Sequence, residues 1–114
     1  MLDVRFDRQF RTPYSEGYFI IEEITRIGVI ELHFTGVNVH ATLILERELE
    51  RTDIVKLIEQ IDDDLVMTAD TPREDLLVSV YSGKDIGFYN DDIIEEESDY
   101  LEEEIDENVD DTAD

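Results

Sequence analysis

Residues 27–45 read IGVIELHFTGVNVHATLIL, two runs rich in β-branched and aromatic side chains that meet at Thr35 and Gly36. Each run alternates apolar and polar positions, the mark of a strand with one buried face. Gly36 can take the positive φ required at the first central position of a type II′ turn, which leaves a two-residue loop of Gly36 and Val37. That loop sets Phe34 opposite Val39, Leu32 opposite Ala41 and Ile30 opposite Leu43. The same pairing places the apolar side chains of both strands on one face. Turn chemistry and alternation therefore select one register, and its apolar face needs a covering layer.

Upstream, LDVRF (2–6) alternates in the same way, and YFIIEEI (18–24) follows the turn-like TPYSEG. With the hairpin they make a four-strand antiparallel meander. Downstream the period changes. Ile54, Leu57, Ile58, Ile61 and Leu65 recur at the three-and-four spacing of one helical face, with Thr52 or Asp53 as N-cap. Such a helix should lie across the sheet and cover its apolar face. Thr71 and Pro72 mark a loop, because the residue before proline is pushed out of the helical region. LLVSVYS (76–82), a turn at Gly83–Asp85 and IGFY (86–89) then read as a closing hairpin. The expected fold class is α+β: an antiparallel sheet built from a four-strand meander, one covering helix and a closing hairpin, followed by an acidic C-terminal tail.

Charge divides the chain unevenly. The 114 residues hold 32 acids and 9 Lys and Arg, a net charge of -23. All nine bases and 18 of the acids fall in residues 1–90, which read as one folded domain. Residues 91–114, DDIIEEESDYLEEEIDENVDDTAD, hold 14 acids and no base. This tail is expected to be disordered or weakly helical: Ile93, Ile94, Tyr100, Leu101, Ile105 and Val109 include helical spacings, but like charges at i,i+4 oppose the helix. So negative a chain disfavours nucleic acid and anionic membrane, and favours cations or a basic protein as partner.

The absence of cysteine excludes disulfides and thiolate chemistry. The start, MLDVRFDRQF, lacks the apolar run of a signal peptide, and no stretch of 18 apolar residues occurs, so a cytoplasmic protein is expected. No Gly-rich phosphate loop, G-x-S-x-G or H-E-x-x-H is present, and no enzyme activity is expected.

Two acidic groups invite a metal. Asp62, Asp63 and Asp64 sit at the C-terminal end of the expected helix, where the macrodipole is negative and each exposed acid costs on the order of 0.3–1 kcal/mol. A bound Ca²⁺ would offset that cost, since hard cations take carboxylate oxygens without a fixed geometry; solvation just past the helix end is the plainer explanation. Asn90, Asp91 and Asp92 are either turn formers ending the last strand or the start of an oxygen-ligand cluster that Glu95 completes. No EF-hand pattern occurs, so any Ca²⁺ site would bind weakly, at about 10⁻⁵ to 10⁻³ M. His33 and His40 face each other in the assigned register, with Glu31 on the same face, as a zinc or copper set or as ordinary exposed polar residues.

A small, strongly acidic, cysteine-free α+β chain without an EF-hand, carrying IDDDL and YNDDIIEEESDYLEEE, resembles the calcium-binding protein of heterocyst-forming cyanobacteria. The resemblance implies Ca²⁺ binding through surface carboxylates and buffering of free calcium during heterocyst differentiation. The leading expectation is thus a low-affinity Ca²⁺ buffer or sensor. The alternatives are a DNA mimic or inhibitor that occupies a basic protein, and a binding adaptor whose tail serves solubility and steering.

Overall fold

The computed structural model describes residues 2–68 and 73–108 and, within the last helix, the side chains of 91–99 and 101. Strands β1 (Arg5–Arg11), β2 (Ser15–Glu22), β3 (Thr25–Phe34) and β4 (Asn38–Leu45) lead into helix α1 (Arg51–Ile61) and a π-helical turn over Asp62–Val66. Strand β5 (Asp75–Ser82) and helix α2 (Asp91–Asn108) follow. The five strands form one sheet in the order β1-β2-β3-β4-β5. Helix and sheet together make a mixed α+β fold.

The β3–β4 hairpin has the register its sequence requires: Phe34 pairs with Val39, Leu32 with Ala41, and Ile30 with Leu43. Gly36 stands at φ +97°, and the Thr35 N–H donates to the Asn38 carbonyl at 3.0 Å to close the two-residue loop. At the other end of the hairpin, a Cβ on Gly28 would lie 2.6 Å from the Ile44 carbonyl oxygen, so only glycine lets the two backbones come this close.

The buried face of the sheet gathers Tyr18, Ile20, Ile27, Ile30, Leu32, Val39, Ala41, Leu43 and Leu45. Leu57 and Ile61 of α1 and Val66 of the π-helical turn complete the core. Leu57 and Ile61 are a turn apart on one face of α1, as the spacing predicts. The Gln60 side-chain amide donates to the Val4 carbonyl at 3.0 Å and ties the helix to the chain before β1.

Three expectations need correction. The closing hairpin does not form. Instead β5 lies parallel to β4, with Val39 beside Leu76, Ala41 beside Val78 and Leu43 beside Val80. A chain that leaves a sheet through a helix packed on one face returns at the end where it began, and so lands parallel to the strand it left. IGFY (86–89) is not a strand: Ile86 and Phe88 are 91% and 84% exposed, and the Gly87 N–H donates to the Asp85 carboxylate at 2.9 Å in a side-chain turn. The first strand covers Arg5–Arg11 rather than 2–6, and α1 starts at Arg51 behind Glu50, without the side-chain cap expected from Thr52 or Asp53. The loop expected at Thr71 and Pro72 lies outside the described residues.

Packing fixes the outcome of two substitutions. Gly28→Ala forces a methyl group against a backbone carbonyl that cannot move aside, and should lower stability by about 1–3 kcal/mol. Gly83→Ala meets only the Ile44 methyl at 3.7 Å and should be near neutral. Urea unfolding of both checks this, and equal midpoints would contradict the close approach.

Candidate functional site

The acids at the end of α1 are held by the chain itself. The π-helical turn is closed by the Met67 N–H donating to the Asp62 carbonyl at 2.8 Å. It brings the Asp62 carboxylate up to Arg73, which precedes β5. Arg73 Nη2 donates to Asp62 Oδ2 at 2.6 Å and Nε to Oδ1 at 3.3 Å, a two-point pairing of the kind guanidinium favours. This bond to Asp62 raises the guanidinium pKa. The compensation that the misplaced acids call for thus comes, for Asp62, from an arginine eleven residues on. Asp63 and Asp64 are exposed, and the Thr68 hydroxyl donates to the Asp64 carbonyl at 2.8 Å.

The second acidic group has a local role too. Asn90 Oδ1 accepts from the Ile93 N–H at 3.0 Å, and the Asn90 carbonyl accepts from the Ile94 N–H at 2.9 Å, so Asn90 is the N-cap of α2. Asp91 and Asp92 occupy the first turn, where the dipole is positive and favours them. Glu95 is exposed on the next turn. Asn90 therefore starts a helix rather than ending a strand.

Among the described residues no three His, Asp or Glu side chains converge as a metal site. Asp62–Asp64 and Asn90–Glu95 each stay with their own helix end. His33 and His40 are cross-strand partners on the exposed face, as the register requires, and His33 Nε2 stands 3.8 Å from a Glu31 oxygen.

Among the described residues, four of the nine bases pair with acids of the domain. Arg5 pairs with Asp7 at 3.4 Å, Arg47 with Glu22 at 2.7 Å and Arg73 with Asp62. Arg26 holds both Glu46, at 2.9 Å, and Asp85, at 3.2 Å, while its guanidinium lies 4.5 Å from the centre of the Phe19 ring. Among the described residues no Lys or Arg pairs with an acid of α2.

Two features escaped the sequence reading. The sheet face opposite α1 carries an apolar row in which Phe19 pairs with Val29, Val29 with Ile44 and Ile44 with Tyr81. Phe10, packed over Gly17, and Phe88 border a cleft of about 690 Å³ above this row. Val29 and Ile44, apolar at positions pointing away from the core, were the available signal. Arg8 and Arg11 line a second cleft of about 550 Å³ with Tyr14 and Tyr18. Burial, reinforced by the hydrogen bond its hydroxyl donates to the Glu16 carboxylate, pushes the Tyr18 phenol up from 10.0 to about 12.

Among the described residues no helix is long and apolar enough to cross a membrane. No family model, curated protein or solved structure matches the chain. The likeness to the cyanobacterial calcium-binding protein accordingly rests on the sequence features alone.

Both sets of side chains yield measurable consequences. A phenol whose pKa is raised on folding contributes stability below pH 10.0 that is lost as pH rises toward about 12. Spectrophotometric titration of the five tyrosines should show one ionising late, and Tyr18→Phe should remove that phase. Of the three neighbouring acids, Asp62→Asn should lower the urea midpoint, whereas Asp63→Asn and Asp64→Asn should leave it unchanged or raise it. The reverse order would contradict the assigned partner.

Proposed function

We propose that this protein binds a basic protein partner through α2, whose carboxylates stand in for the phosphates of a nucleic acid. The observation that carries this reading is the helix itself. Asp91–Asn108 hold eleven acids and no base, capped by Asn90, with no cation of the domain paired to the described side chains. An 18-residue helix is about 27 Å long, which gives roughly one negative charge per 2.5 Å. Duplex DNA carries about one per 1.7 Å of axis and a single strand one per 3.4 Å. The charge density of α2 falls between the two. A disordered tail would be a poor template for a cationic groove, and a helix is a better one.

Ile94 and Leu101 add an apolar component, at 49% and 54% exposure, that a purely solubilising tail does not need. Such a helix destabilises itself, because acids continue to its C-terminal end and no base stands in its last turn. A cationic partner relieves that repulsion, so binding and helix stability reinforce each other.

Calcium binding through Asp62, Asp63, Asp64, Asn90, Asp91, Asp92 and Glu95 draws less support, since Arg73 already engages Asp62 and Asn90 already caps α2. It predicts a Ca²⁺-induced change at those residues that Mg²⁺ does not reproduce.

Calorimetric titration with a Lys- and Arg-rich peptide of about 20 residues separates the readings, because affinity for a polyanion falls steeply with salt. The full chain should bind, deletion of residues 91–114 should abolish binding, and Glu95→Gln, Glu96→Gln and Glu97→Gln together should weaken it by about tenfold. Undiminished binding by the deletion variant would overturn the proposal.

A further inference from the structure

The two edges of the sheet are built differently. At one edge, β1 carries Arg5, Asp7, Arg8 and Arg11, and its pairing with β2 is broken by a register shift between Arg8 and Phe10. Charges and bulges of this kind stop a second chain from adding to an edge. At the other edge, residues 76–82 of β5 read LLVSVYS, with no charge, proline or glycine, and their pairing with β4 is unbroken. The far side of β5 meets no strand among the described residues. Leu77 and Tyr81, on the outer face, are 41% and 58% exposed; Val80, on the face that α1 covers elsewhere, is 41% exposed.

We infer that β5 is a self-association edge that pairs antiparallel with β5 of a second copy about a two-fold axis through Ser79. The sequence of the strand supports this register. With Ser79 opposite its own copy, Val78 meets Val80 on the core side and Leu77 meets Tyr81 on the outer side, so the exposed apolar side chains cover one another. Leu76 comes opposite Ser82, so the whole uncharged run 76–82 lies within the pairing. Moving the axis to Val80 would set Tyr81 against Ser79 and Val78 against Ser82, and so break both apolar pairs. The product is a ten-stranded sheet with both α1 helices on one face.

Charge opposes this association, at -23 per chain, but most of it lies beyond residue 90 and is screened over about 8 Å at physiological ionic strength. The dimer should therefore strengthen as salt rises. Binding of a cationic partner by α2 should weaken, so each idea can fail without the other.

Sedimentation equilibrium of the full chain, at up to about 1 mM protein and in low and high salt, tests the edge. The expected result is a reversible species of twice the 13.3 kDa chain mass, favoured by salt. Val80→Lys and Tyr81→Lys, on opposite faces, should each raise the dissociation constant by about tenfold or more. Leu77→Lys should weaken the dimer, and adding Tyr81→Glu, opposite it in this register, should restore it. A chain that stays monomeric throughout, or a dimer indifferent to both lysine substitutions, would overturn the assignment of β5. A weakened Leu77→Lys dimer that Tyr81→Glu does not restore would overturn the register.

Discussion

The pairing of β3 with β4 is the constraint on which the rest of the molecule depends. Gly36 turns the chain at positive φ, Gly28 lets the backbones approach at the far end, and between them the alternation of both strands fills a single face. A slip of one residue would send Ile30, Leu32 and Leu43, all fully buried, to the solvent face. Everything on either side is placed by that face. β2 extends it, α1 covers it, and the return from α1 puts β5 parallel to β4 and leaves β5 as an edge.

Charge is organised around the same frame. Four of the domain's seven arginines are set against its own acids: Arg5 joins Asp7, Arg26 joins Glu46 and Asp85, Arg47 meets Glu22, and Arg73 closes on Asp62. Arg26–Glu46 and Arg73–Asp62 are half-buried, and the more exposed pairs contribute little stability individually. Their effect is on distribution: these arginines face acids of the first ninety residues, and among the described side chains no Lys or Arg pairs with an acid of α2. The asymmetry between domain and helix is what makes partner binding a physical expectation rather than a matter of composition.

Much of the fold was legible in the sequence. The Gly36 turn and the period-two pattern specified the hairpin register, and the spacing of Leu57 and Ile61 specified the face of α1. The parallel β5 was missed because LLVSVYS reads equally well as half of a hairpin with IGFY. The topological consequence of a strand, a covering helix and another strand was the stronger signal. The acidic groups were visible but their roles were not: Arg73 lies eleven residues from Asp62, and only the π-helical turn and the path into β5 bring the two together. Asn90 looked like a turn former, yet its side chain faces the Ile93 amide and starts a helix that the like charges of the tail argued against.

The central claim is that α2, not the sheet, receives a cationic partner. Residue-resolved NMR of the full chain, titrated with the Lys- and Arg-rich peptide, tests it most directly. The account predicts shifts that saturate and are concentrated in Asp91–Asn108, with the amides of β2, β3 and β4 unmoved. Saturating shifts confined to the sheet, or small shifts spread evenly over every exposed acid, would contradict it.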